Sequence, residues 1–475
     1  MMRRLSLTMA VALAGLAFAS VPAHAQSIGD LCGQASPSSA FCIGQQKLAE
    51  AAGAECRRLG LPAANCNLPL SREVRDDITG DYGRSWLHRA AAFQYRLGGP
   101  LPLLRAQWLG THNSFNSTSE SPTLSHTDSN QQLSLSQQLN IDIRGLELDL
   151  HWFPSATTGG AKTVVVCHAR GPDEENAGCT NERTFVQVLP EIANWLNTSG
   201  HRREVVLLYL EDELGDPAGY AQTVATLDHV LRRPDGHSLI YRPRPSDIAS
   251  KGCASLPLGI SRERIRARGA QVLLVGNCRS GWAADVYGWD DRHVESGSTP
   301  RYRAFPACDA TYSRRIYDTK LVRYYEDSTF VSAATDPTGS PSDAQADRLT
   351  PDKAAAMTRC GVGLFGFDQL LPNDGRIGAT IWSWASGQPS PQHHRCTVQR
   401  TDGHWVARGC RARRRAACAT AHGWLLTRPK VPFAESPEEC RDRHARFVLP
   451  RTGYDNSRLR QAARRGEVWI AYRVR

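Results

Sequence analysis

Between about residue 100 and residue 390, short apolar runs alternate with polar stretches of helical character. Five runs read as buried strands: Gly145–Leu150, Thr163–Cys167, Val205–Leu210, Gln271–Val275 and Ala379–Trp384. Gly363–Phe367 is a sixth. Continuous apolar runs suit a sheet covered on both faces. Arg183–Asn197 and Tyr220–Arg232 are spaced between them as crossover helices, which predicts parallel strands. A closed (β/α)8 TIM-like barrel and an open doubly wound sheet both satisfy this α/β pattern. Thr118–Gln132 and Ser328–Asp347, rich in Ser, Thr, Asp and Pro, read as surface loops.

The chain ends differ from this middle. Arg3 and Arg4 precede an apolar run from Leu5 to Val21, and Ala23-His24-Ala25 is a small-x-small cleavage site. Residues 1–25 therefore read as a signal peptide, with the mature chain starting near Gln26. No later stretch approaches the roughly 20 apolar residues of a membrane helix. The expectation is a soluble protein, secreted or periplasmic. All 14 cysteines lie beyond the signal, and an even number in an exported chain reads as disulfides. Cys32/Cys42 and Cys56/Cys66 each enclose nine residues. Closing such loops is worth roughly 2–3 kcal/mol each, but spacing does not fix the pairing. Residues 26–95 form a cysteine-rich lead, in which Leu48, Ala51, Ala52 and Leu59 give Ile43–Leu59 a helical apolar face. A barrel of roughly 250 residues then fits residues 96–390, with a further module over 391–475. The net charge of +10 reads equally as attraction to phosphate-bearing lipid surfaces or anionic glycans and as the mark of an arginine-rich proteome. No nucleic-acid partner is expected.

The candidate chemistry lies at the ends of the predicted strands. Thr111-His112-Asn113-Ser114-Phe115 comes first, then Gly145-Leu146-Glu147-Leu148-Asp149. Val164-Val165-Val166-Cys167-His168 and Val205 to Glu211 follow. Alternate strand residues share a face, so Glu147 and Asp149 project side by side. Two buried like charges call for a proton or a cation between them, and a hard divalent ion takes oxygen ligands. His112 and His168 each stand at the end of an apolar run, where catalytic groups of such barrels gather. Two histidines can serve as general base and general acid.

These four blocks, in this order, resemble the catalytic X region of phosphatidylinositol-specific phospholipases C. The resemblance covers mainly Leu109 to Glu211. It implies that His112 and His168 are catalytic and that Asn113, Glu147, Asp149 and Glu211 bind Ca²⁺, for which Mg²⁺ could substitute in vitro. In a metal-free branch of the family an arginine two residues beyond the strand aspartate replaces the cation. Here that position is His151, and Glu147 is present, which favours the calcium branch. The implied reaction is attack of the inositol 2-hydroxyl on its own phosphate. His168 would protonate the leaving lipid alcohol, and His112 would act as base or stabilise the phosphorane. Glycerophosphodiester phosphodiesterases share the E-x-D strand but begin with H-R-G, and sphingomyelinases of the D type use the same barrel. A non-catalytic surface-binding protein is the reading from another class.

Beyond the barrel, Trp382-Ser383-Trp384, Cys396, Trp405, Cys410 and Cys418 resemble the second half of a C-type-lectin-like domain. Cys440, Phe447, Asp455-Asn456 and Val468-Trp469-Ile470 resemble its first half, in permuted order. The resemblance implies bridges Cys396–Cys410 and Cys418–Cys440. Gln388-Pro389-Ser390 and Trp405-Val406-Ala407 depart from the calcium-binding lectin motifs, so sugar binding through calcium is not expected there. Arg411, Arg413, Arg414 and Arg415 could contact anionic lipid or glycan.

Overall fold

The computed structural model describes residues 77–474 apart from 118, 120–128, 177, 180–181, 249–252, 278–281, 283–284, 290, 295–303, 309–318, 327–348, 391–394 and 465. The expected signal peptide, the Ile43–Leu59 helix, the pairs Cys32/Cys42 and Cys56/Cys66, and most of both polar loops lie outside the described residues.

Two helices lead in, α1 (Asp77–Arg84) and α2 (Trp86–Leu97). The Ser85 side chain caps α2 by accepting from His88 N. The barrel elements follow: β1 (Trp108–Thr111), α3 (Leu135–Asn140), β2 (Gly145–Pro154), β3 (Lys162–Val166), α4 (Phe185–Asn197), β4 (Val206–Glu213), α5 (Pro217–Val230) and β5 (Ala254–Ser255). Then come α6 (Arg262–Ala267), β6 (Val272–Gly276), β7 (Tyr287–Gly288), β8 (Asp291–Val294), β9 (Leu321–Tyr325), α7 (Pro351–Cys360), β10 (Leu364–Phe367) and α8 (Arg376–Ala379). The sheet runs β5-β7-β6-β4-β2-β1-β10-β9-β8 with parallel neighbours. Only two residues separate β7 from β8, yet β7 pairs with β6 and β8 with β9. The segment 287–294 thus draws the two ends of the curled sheet together, giving a TIM-barrel-like architecture.

Strand alternation sorts the apolar side chains into two cores. Leu146, Leu148, Leu150, Leu208 and Phe365 face the helices, against Val188, Leu189 and Ile192 of α4. Trp108, Leu207, Tyr209, Leu273, Val275 and Leu364 fill the barrel. Gly366 is required inside, because a Cβ there would stand 2.4 Å from the Tyr325 ring.

Two expected strands behave differently. Lys162–Val166 pairs antiparallel with β2 as a hairpin rather than joining the parallel set. Ala379–Trp384 is not a strand. The α8 helix ends at Ala379, and the backbone N–H groups of Trp382 and Ser383 donate to Gln94 Oε1 of α2, at 2.7 and 2.9 Å. The apolar character of that run serves tryptophan packing, with Trp382 and Trp384 meeting Trp405.

The remaining strands are β11 (Cys396–Gln399), β12 (Trp405–Arg408), β13 (Arg415–Thr420), β14 (Gly423–Leu426), β15 (Arg446–Phe447) and β16 (Val468–Arg473). The helices α9 (Ser436–Arg441) and α10 (Gly453–Ala463) accompany them. The second sheet is ordered β12-β11-β16-β13-β14, with β15 on β13. Cys396–Cys410 and Cys418–Cys440 are bridged, as the resemblance implied. Cys167–Cys179 and Cys308–Cys360 are also bridged. Phe93 of α2 ties this sheet to the barrel through Trp384 and Tyr472, with ring centroids 5.7 and 5.3 Å away.

Two buried charge clusters bear on stability. Arg376 Nη1 donates to Glu326 Oε2 (2.8 Å) and Nη2 to Asp374 Oδ2 (2.6 Å). Glu326 also accepts from the backbone N–H groups of Leu349 and Asp368. Burial pushes its carboxyl up to about 7, against the pull of Arg376. Arg376→Met should therefore cost about 3–5 kcal/mol, because it strands a buried carboxylate. Urea unfolding of the two proteins measures this.

At the base of the barrel Asp142 accepts from Tyr82 (2.7 Å), and its Oδ2 stands 2.9 Å from His88 Nδ1. The Asp142 hydrogen bond raises the His88 pKa, over the opposing effect of burial. A raised folded pKa gives stability that is complete below the unfolded value of about 6.5 and lost as pH climbs through the raised one. His88→Gln should flatten that part of the melting-temperature profile, as thermal scans across pH 5–9 would show.

Candidate active site

The first histidine follows β1 directly. His112 N donates to Phe367 O (3.1 Å), and Asn113 then turns into the left-handed region at φ 43°. Asparagine tolerates that conformation better than most residues. The turn is held by Ser114, whose N–H donates to Glu147 O (3.1 Å) while its Oγ accepts from Glu147 N (2.9 Å). Asn113 N in turn donates to Glu147 Oε2 (3.1 Å). The T-H-N-S segment is thereby locked to the E-x-D strand.

On β2 and β4 the parallel register sets Glu147 beside Tyr209 and Asp149 beside Glu211. One carboxylate oxygen from each of Glu147, Asp149 and Glu211 lies within 4.8 Å of the others. Glu147 and Asp149 are each 4% exposed. Burial pushes the Glu147 carboxyl up to about 7, with Glu211 adding and His112 opposing. Burial, then Glu211 and Glu147, hold Asp149 well above the usual carboxylate range. Asn113 faces this cluster with its amide oxygen, 2.9 Å from Asp149 Oδ2 and 3.1 Å from Oδ1. Turned over, the amide would donate to both oxygens and accept from His168 Nε2 at 3.3 Å. The three carboxylates offer the oxygen donors of a hard cation such as Ca²⁺ rather than Zn²⁺, with the Asn113 amide beside them.

His168 is carried past the end of β3. Cys167 N donates to Asp149 O (3.2 Å), and the Cys167–Cys179 bridge closes the segment between them. All six residues read from the sequence, His112, Asn113, Glu147, Asp149, His168 and Glu211, thus meet at the C-terminal end of the barrel strands. His151 lies on the same face of β2 as Asp149 but is fully buried, with Nδ1 2.9 Å from Asn176 Oδ1. It pins the 167–179 loop. Arg144 belongs to the opposite end of the barrel, donating to Glu204 Oε2 (2.9 Å) beneath the Trp195 ring.

Several site residues were not foreseen. Asp368 follows β10 as His112 follows β1, and its Oδ1 lies 3.1 Å from His112 Nδ1. A polar residue immediately after a predicted strand was the available signal. Asn116 and Asn130 link the two histidines from flanking loops that carry no such pattern. Gln131 Nε2 donates to His112 O (2.6 Å) and Phe367 O (2.8 Å), closing the rim between β1 and β10. Deeper in the barrel, Arg323 stacks 4.2 Å from Trp289 and 5.4 Å from Tyr325.

A curled, barrel-like parallel sheet with two histidines and a carboxylate cluster at its C-terminal rim agrees with the family comparison. The Rv2075c PI-PLC-like domain matches residues 67–374, and the chain belongs to that family. Uncharacterized protein Rv2075c of Mycobacterium tuberculosis (strain ATCC 25618 / H37Rv) is 53% identical over 443 residues, covering 93% of this chain and 91% of its own. Among solved structures, the phosphatidylinositol-specific phospholipase C from Listeria monocytogenes is 17% identical with a TM-score of 0.39, covering 62% of this chain and 97% of that one. The calcium-dependent phosphoinositol-specific phospholipase C from a Pseudomonas species is 11% identical with a TM-score of 0.33, covering 59% and 93%.

Proposed function

We propose that this chain is an exported calcium-dependent phosphodiesterase that cleaves phosphatidylinositol-type lipids by attack of the inositol 2-hydroxyl on phosphorus. The observation that carries the reading is the convergence of Asn113, Glu147, Asp149 and Glu211 beside two histidines. When bound, Ca²⁺ would lower the hydroxyl pKa and neutralise charge on the phosphoryl oxygens. His112, with its Nδ1 on Asp368, keeps Nε2 to take the hydroxyl proton. The 2-oxygen forms a bond to phosphorus as the bond to the lipid alcohol breaks. His168 Nε2 gives that alcohol its proton, leaving a cyclic phosphodiester. Holding nucleophile and phosphate in one molecule removes much of the entropy cost. Arg323 at the barrel floor adds positive potential for an anionic head group.

Export is supported by the disulfides, which persist in oxidising compartments. Among the described residues no helix is long and apolar enough to cross a membrane. The module beyond residue 390 presents exposed Arg411, Arg413 and Arg415 to an anionic lipid or glycan, whereas Arg414 is taken up by Glu467 at 3.1 Å.

The test is turnover of phosphatidylinositol vesicles by the mature protein with calcium or with chelator. Calcium-dependent release of a cyclic inositol phosphate is the expected result. Turnover only of glycerophosphodiesters or sphingomyelin would replace the substrate, and no turnover of any would leave a binding protein.

A further inference from the structure

The end of the barrel away from the two histidines carries a separate cleft. It encloses about 560 Å³, within the roughly 300–1,000 Å³ of small-molecule sites. Its walls come from both parts of the chain, with α7 and α8 on the barrel side and α10 and the β11–β12 turn on the other. The two sides are pressed together. A Cβ at Gly453 of α10 would stand 2.4 Å from Thr358 O of α7. In the turn, His404 Nε2 lies 3.2 Å from Ile381 O. Trp382, which lines the cleft, donates from Nε1 to Gln107 Oε1 (3.2 Å), one residue before β1 begins. The cleft therefore sits where the barrel strands start, whereas His112 and Asp368 follow the points where β1 and β10 end.

Its charge is one-sided. Ser457, Arg460 and Gln461 are spaced i, i+3, i+4 and so share one face of α10, with Arg464 at i+7 just past the helix. Arg359, in the last turn of α7, joins them in lining the cleft. The single carboxylate among the lining residues is Asp402. It is taken up by Arg400 Nη2 at 2.9 Å and by His404 N at 3.0 Å. Among the described residues no carboxylate pairs with Arg359, Arg460 or Arg464. Arg460 Nε donates to Thr401 O, which orients that guanidinium and leaves both Nη groups for another acceptor. A planar guanidinium presents paired N–H groups that match phosphate oxygens. Beside the arginines the lining is apolar, with Phe305, Pro306, Ala379 and Ile381. An inorganic anion would make no use of that surface.

We propose that this cleft is a second binding site, for a soluble phosphate ester of a small polyol. The arginines take the phosphate, and the apolar lining takes the carbon face of the polyol. A lipid head group fits less well, because a bilayer presented to the histidines meets the opposite end of the barrel. The site does not rest on the proposed reaction. Since its walls belong to both the barrel and the second sheet, an occupant also fastens the two together.

The experiment is calorimetric titration of the full mature chain, in chelator, with glucose 6-phosphate, glucose and inorganic phosphate as probes. Glucose 6-phosphate should bind saturably, at least about tenfold tighter than inorganic phosphate, and glucose should not bind. Added salt should weaken the binding. The melting temperature should rise with glucose 6-phosphate by mass action. The double variant Arg359→Glu/Arg464→Glu should weaken binding about tenfold or more. Both side chains are exposed, so its circular dichroism and phosphodiester turnover should match the wild type. His112→Ala should bind glucose 6-phosphate as the wild type does, which separates the cleft from the active site. Affinity unchanged in the double variant, or lost in His112→Ala, overturns the proposal. So does inorganic phosphate binding as tightly as the ester, or no saturable binding at millimolar ester. Vesicles of phosphatidylglycerol and phosphatidylcholine that bind through Arg359 and Arg464 while the soluble ester does not would overturn it in favour of a lipid surface. None of these readings needs phosphatidylinositol turnover, so the substrate proposal can fail without this one.

Discussion

In Asp149→Asn protein, calcium-stimulated turnover should fall about 10³-fold, the equivalent of roughly 4 kcal/mol of barrier. Without calcium the same protein should melt no lower than the wild type. The two effects have opposite signs because of where the carboxylate sits. Glu147, Asp149 and Glu211 place three acidic groups within 4.8 Å, the first two buried and Glu211 half-buried. Burial and mutual repulsion push Asp149 far above its ordinary range and Glu147 up to about 7. Replacing one carboxylate with an amide of the same shape relieves that repulsion and removes a cation ligand. Thermal melts with calcium and with chelator separate the two. Wild type should gain stability from calcium by mass action, and the variant should gain little. Equal calcium-induced shifts in both proteins would show that the ion binds elsewhere.

The second large effect concerns the histidines. His112→Ala and His168→Ala should each lose about 10²–10⁴-fold in turnover. His112 is held by Asp368 and the β10 backbone, and His168 by a disulfide-closed segment, so neither ring is part of a hydrophobic core. Both variants should keep the wild-type circular dichroism. The double variant should lose far less than the product of the two, because base and donor act in one step. Near-normal turnover in either single variant would remove that residue from the reaction.

The sequence discloses this site because β2 and β4 are long apolar runs buried on both faces. A charge within such a run, as at Glu147 and Asp149, has no structural reason to be there. The same logic reached Glu211 and both histidines. It failed on short or interrupted strands: β1 has four residues with a glycine among them, and β9 carries Arg323 inside the barrel. Direction is also invisible to an apolar run, so Lys162–Val166 read like its parallel neighbours although it turns back on β2. Trp382 and Trp384 gave Ala379–Trp384 the look of a strand, when their apolar surface serves the contact with α2 and the second sheet. Asn116 and Asn130 were illegible for a different reason. Their importance comes from the order of hydrogen bonds between distant side chains, which no local pattern encodes.

The Cys167–Cys179 bridge stands one residue before His168 and closes the segment on which that ring is carried. In a reducing compartment the two sulfurs remain thiols, and the fixed approach of His168 to Asn116 has no covalent support. For an enzyme of the proposed kind, oxidation would then act as a safety catch. A polypeptide exported as proposed would be made alongside the inner leaflet of its own cell and become armed only after crossing to where that bond can form.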